Sequence, residues 1–179
     1  RPSRPTFLGD EGASSMKLDQ TPKLKDFVGN SFCLIVEPST AFSTSLQACL
    51  ASMGVPMTQI ITCRKYQDAL NILEQKKPRI LVTEYDINPG QGLALVEIFE
   101  KMHEESQRIA IVVTRNSSDG AIAEAAEGAV DAFVLKPFSP EAFRKKLVEV
   151  FESKVNPSPY IRKIKEGREQ FVKKAFDQA

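Results

Sequence analysis

Hydrophobic positions along the chain alternate between two textures. Short runs rich in β-branched side chains occur at residues 32–36 ("FCLIV"), 59–62 ("QIIT"), 79–83 ("RILVT"), 109–113 ("IAIVV") and 132–135 ("AFVL"). Runs of this length without polar alternation predict strands covered on both faces. Between them, apolar residues recur at helical spacing: Phe42, Leu46, Cys49, Leu50 and Met53; Leu70 and Leu73; Leu93, Val96 and Phe99; Phe143, Leu147, Val150 and Phe151. Each set forms one stripe of an amphipathic helix. Strand and helix alternating with short linkers predict a five-stranded parallel sheet with helices on both faces. Sites in such sheets lie beyond the carboxyl ends of the strands, near the point where strand order reverses.

The ends of the chain have a different texture. Residues 1–30 mix Ser, Pro, Gly and charges without a sustained period, which predicts a mobile N-terminal arm. Residues 31–155 form the expected α/β domain. Residues 156–179 begin with Pro157 and Pro159 as a linker and continue as an amphipathic helix with a stripe of Ile161, Ile164, Phe171, Val172, Ala175, Phe176 and Ala179. Gly167, Phe176 and Ala179 stand at spacings that resemble the start of a tetratricopeptide repeat. The alternative is an ordinary C-terminal helix packed on its own domain or on a twin.

Composition narrows the function classes. Lys and Arg number 24 against 23 Asp and Glu, so no field of one sign draws in nucleic acid or an anionic membrane, and other proteins are the expected partners. Cys33, Cys49 and Cys63 sit in apolar segments without C-x-x-C spacing and read as reduced core thiols of a cytoplasmic protein. No segment reaches the apolar length of a membrane span.

Candidate chemistry gathers where the fold class says to look. The first strand ends at Glu37-Pro38, the third at Glu84, the fourth at Thr114, and the fifth runs into Lys136-Pro137. This set, with "LIVEPS" and "GAVDAFVLKPFSPEAFRKKL", resembles the receiver domain of two-component response regulators over Phe32 to about Ser153, a flavodoxin-like fold. The resemblance implies an acceptor Asp on the third strand, Mg²⁺ held with an acidic pair from the first, and a Lys and a Thr that meet the phosphoryl oxygens. Thr114 and Lys136 match directly, and Phe133 matches the aromatic that swings inward with the Thr. Pro137 stands where the family has a cis peptide bond.

Two positions depart from the family pattern. The acceptor lies eight residues before the Gly opening the third helix, which here is Glu84 before Gly92. Glu37 fills the first acidic position, but Pro38 fills the second and cannot ligate through its side chain. Glu is longer than Asp by one methylene, so the carboxylate of Glu84 is expected near Lys136, where an aspartyl phosphate would place its charge. Asp86 is the rival acceptor, reached by a two-residue slip. These departures imply a pseudo-receiver that acts through contacts with a kinase or an effector, or with a twin as a homodimer. No cofactor is expected beyond a weak Mg²⁺ site at Glu37 and Glu84. The alternatives are a working receiver phosphorylated on Glu84 or Asp86 with Mg²⁺, and a small α/β enzyme or nucleotide binder using the same crevice. Lying at strand ends, the carboxylates and Lys136 are expected to be wet.

Overall fold

A computed structural model describes residues 23–87, 90–115, 118, 130–160, 162–164, 166, 167 and 170. In chain order the elements are α1 (Leu24–Val28), β1 (Cys33–Val36), α2 (Thr40–Ser52), β2 (Ile60–Cys63), α3 (Tyr66–Lys76), β3 (Ile80–Glu84), β4 (Asp86–Ile87), β5 (Gly90–Gln91), α4 (Gly92–Phe99), β6 (Ile109–Thr114), β7 (Ala132–Leu135) and α5 (Pro140–Val155). Five strands form one all-parallel sheet in the order β2-β1-β3-β6-β7. This is the flavodoxin-like arrangement expected from the sequence, and each apolar run is one of its strands.

Alternation along each strand sends successive side chains to opposite faces. Cys33, Ile35, Ile80, Val82, Ile109, Ile111 and Val113 pack with α1, α2 and α5. Leu34, Val36, Leu81, Ala110 and Val112 pack with α3 and α4. Both faces are therefore dry, which is why the strands carry continuous apolar runs rather than a polar–apolar alternation. Burial pushes the thiol of Cys33 up to about 12. It pushes that of Cys63 up to about 11, with the Asp68 carboxylate adding to the shift. These are core thiols, not reactive ones.

The structure corrects the N-terminal boundary. Residues 24–28, read from sequence as part of a mobile arm, form α1, and its Leu24 and Val28 are buried in the α2–α5 face. Phe27 meets Phe151 edge to face at 5.9 Å, Arg79 donates to the Phe27 carbonyl, and Gln59 donates to the carbonyls of Gly29 and Ser31. Pairing of β4 with β5 adds a two-stranded antiparallel ribbon between β3 and α4, where the sequence reads only as a turn. The first 22 residues of the arm lie outside the described residues. So do Asn88 and Pro89, the segment 121–129, which the sequence reads as a further helix capped by Ser117 or Ser118, with Ser117 itself, and all of the C-terminal stripe except Ile164.

Candidate functional site

The order of strands places the site. The chain moves from β1 outward to β2, then returns to β3 on the other side, so strand order reverses between β1 and β3. Val36 pairs with Thr83 across that boundary, which sets Glu37 beside Glu84. Backbone bonds continue the sheet one residue past three strands: Glu37 N–H to the Cys63 carbonyl (3.0 Å), Tyr85 N–H to Val113 (2.8 Å) and Lys136 N–H to Thr114 (2.8 Å). The three charged side chains thus project from fixed backbone.

They converge on one point. Lys136 Nζ donates to Glu37 Oε2 at 2.6 Å and to Glu84 Oε2. The other oxygens are also engaged: Ser39 N–H donates to Glu37 Oε1 at 2.8 Å, and Tyr85 N–H donates to Glu84 Oε1 at 2.9 Å, with Asp86 N–H at 3.5 Å. The Lys136 side chain is 3% exposed, Glu37 2% and Glu84 10%. The wet strand end expected from the sequence is therefore corrected: the ammonium and Glu37 are as dry as the core. The Lys136–Pro137 peptide is cis.

Gly92 is where the spacing reading of Glu84 acquires a physical basis. After the β4–β5 ribbon the chain returns so closely onto the end of β3 that Gly92 N–H donates to the Tyr85 carbonyl at 2.7 Å. A Cβ at Gly92 would lie 2.1 Å from the Glu84 carbonyl oxygen, so any side chain there would displace the strand end that carries Glu84. Asp86 is exposed on the ribbon and lines the same cleft, of about 270 Å³, with Glu37, Pro38, Ser39, Glu84, Arg115 and Lys136. Thr114 ends β6 fully buried, and Phe133 is half-buried on β7 against the α4 face. Pro38 is exposed at the mouth. His103 places Nε2 3.0 Å from both the Lys77 and Pro78 carbonyls.

Two contributors escaped the sequence reading. Arg115 lines the cleft from the end of β6, and its position immediately after Thr114 was the signal available. Phe42 was assigned only to the α2 core stripe, yet its ring lies under the Lys136 ammonium, 4.5 Å from the centroid. Among the described residues no helix is long and apolar enough to cross a membrane.

Comparison with solved structures returns receiver domains. The chain is similar to a CheY-like receiver domain protein from Methanospirillum hungatei (20% identity, TM-score 0.60, covering 69% of this chain and 95% of that one). It is similar to the chemotaxis response regulator CheY4 of Vibrio cholerae (19% identity, TM-score 0.56, 67% and 98%). A receiver domain protein from Clostridium thermocellum aligns at 15% identity and TM-score 0.57, covering 69% and 96%. At these identities the likeness is one of fold. No curated protein sequence matches the chain. The family model for the response regulator receiver domain matches residues 33–148, well over half of the chain, and with the site gathered at the ends of β1, β3, β6 and β7 the chain belongs to the response regulator receiver domain family.

Proposed function

We propose that this domain is a pseudo-receiver: a phosphorelay-type signalling module that works through contacts with other proteins, in which an internal Lys136 clamp replaces an aspartyl phosphate. One observation carries the reading: the Lys136 ammonium bridges Glu37 and Glu84 directly. In a phosphorylated site the ammonium meets a phosphoryl oxygen; here the longer Glu84 side chain delivers an anionic oxygen to it without added phosphate.

The donor set does not fit the Mg²⁺ that the family implies. Mg²⁺ demands near-octahedral oxygens at about 2.1 Å. Every carboxylate oxygen of Glu37 and Glu84 already accepts from a protein donor, and Pro38 offers no side-chain ligand. Phosphoryl transfer depends on positioning, and a displacement of about 1 Å costs on the order of a hundredfold. Glu84 therefore serves as a fixed charge, with Thr114 and Phe133 as the switch residues that read it. The module turns over no substrate. Its balanced charge suits a cytoplasmic protein whose partners are a kinase, an effector or a second copy rather than nucleic acid or a membrane.

The test is incubation with acetyl phosphate and Mg²⁺, read by intact mass. The wild-type chain gains no phosphoryl mass. Glu84→Asp corrects only the acceptor length and labels slowly and in part, whereas Glu84→Asp with Pro38→Asp supplies the second ligand and labels clearly faster than either single variant, the mark of two groups acting as one site. Robust labelling of the wild type overturns the reading. Labelling that survives Glu84→Gln but is lost in Asp86→Asn moves the acceptor to the ribbon.

A further inference from the structure

A lysine ammonium has three N–H donors, and at this site two carboxylates take two of them. Beneath the ammonium lies the face of Phe42, 4.5 Å from the ring centroid. An aromatic face carries the negative part of the ring quadrupole and attracts a cation most strongly where water is excluded. The ring is itself anchored. Phe42 packs against Phe138 with centroids 5.3 Å apart and ring planes tilted by 38°, and Phe138 against Phe143 at 5.8 Å and 35°. Phe143 is fully buried at the start of α5. Phe42 is half-buried, while the Lys136 side chain above it is 3% exposed.

We infer that Phe42 is a positioning residue of this site: its ring face completes the surroundings of the Lys136 ammonium, holds it between Glu37 and Glu84, and separates it from solvent on the α2 side. The inference takes the Lys136 clamp proposed above as the resting state of the site and adds what keeps it closed. The Phe42–Phe138–Phe143 cluster makes the closure rigid, because Phe42 cannot swing outward without leaving the ring that anchors it to the core.

Reductive methylation of the native protein, read lysine by lysine in peptide masses, tests this. Lys154, equally dry but by the amino ends of β6 and β7, is the internal reference for general loosening. Phe42→Ala is expected to raise the rate at Lys136 on the order of tenfold relative to Lys154. Phe42→Tyr, which keeps the ring face, stays near the wild-type rate. Phe42→Leu keeps apolar cover without a ring face and labels faster than wild type. The inference is overturned if Lys136 and Lys154 rise together, if Phe42→Ala leaves Lys136 protected, or if Leu protects as well as Phe. Should Phe42→Ala fail to fold, the Tyr and Leu variants decide. Phosphodonor labelling of the wild type would remove the pseudo-receiver reading without altering this protection, and unchanged methylation would remove the Phe42 inference alone.

Discussion

Lys136 and Lys154 are both dry ammonium groups held by carboxylates, the first past the carboxyl end of β7 and the second by the amino ends of β6 and β7. Lys154, in the last turn of α5, donates to Asp131 Oδ1 at 2.6 Å and to the Glu105 carbonyl at 2.8 Å. The second oxygen of Asp131 accepts the Ala110 N–H at 2.8 Å. One buried cation thus faces one close, sheltered anion, with the exposed Glu105 carboxylate at 3.9 Å, and the cluster ties α5 to the entries of β6 and β7. Lys136 instead shares itself between two carboxylates, leaving one excess negative charge beside a cleft that Asp86 and Arg115 also line. The same groups do different things according to their count: a balanced cluster braces, and an unbalanced one responds to whatever charge arrives. Lys154 itself lies beyond residue 148, where the family match ends, while Asp131 and Glu105 lie within it.

The largest expected effect comes from breaking the unbalanced centre. Lys136→Ala leaves Glu37 and Glu84 buried against each other with no cation between them. Removing one partner of a buried ion pair costs about 3–5 kcal/mol, and two stranded carboxylates place this variant at the upper end of that range. Urea unfolding with an unchanged slope measures it. A loss below about 1 kcal/mol would mean that water enters freely, as the sequence suggested, and that the contrast with the surface is false.

Breaking the brace should cost less. In Lys154→Ala the stranded Asp131 is 15% exposed and keeps its bond from the Ala110 N–H, so the expected loss is about 1–3 kcal/mol. Hydrogen exchange should rise in the last turn of α5 while methylation of Lys136 stays unchanged. A loss equal to that of Lys136→Ala would show that the number of stranded carboxylates does not rank the two centres.

The two centres were unequally legible in the sequence, for a physical reason. Glu37, Glu84 and Lys136 each follow directly on an apolar strand, and a parallel sheet sends all such ends to one edge, so local pattern and topology together brought them to one place. Their dryness was not legible, because it depends on how elements distant in sequence, Phe42 of α2 among them, pack around the strand ends. The brace joins Lys154 to Asp131 and to Glu105, 49 positions away, and nothing in the local pattern of either end pairs them. Helix α1 has five residues and no side-chain cap, too short for a period to register, and each strand of the β4–β5 ribbon has two residues, too few for alternation.

A third lysine supplies the zero of the scale and the smallest expected effect. Lys146 Nζ lies 2.9 Å from Glu149 Oε2, one turn along α5, with the two side chains 45% and 48% exposed. Its geometry is nearly that of the buried pairs, so distance alone would rank it close to them. The Lys146 ammonium, through its hydrogen bond and its charge, holds the Glu149 carboxyl below its ordinary value. A carboxyl lowered in the folded state adds stability above its unfolded pKa, and that stability is lost as pH falls through the folded value. Here water screens both charges and the side chains give up rotamer freedom to meet, so the net contribution of such a pair is close to nothing. Lys146→Ala is therefore expected to leave the urea midpoint unchanged within error at neutral pH, and to leave its difference from wild type flat as the pH is lowered. A measurable loss that disappears in acid would show that the pair is sheltered in solution, and burial would then no longer separate the three lysines.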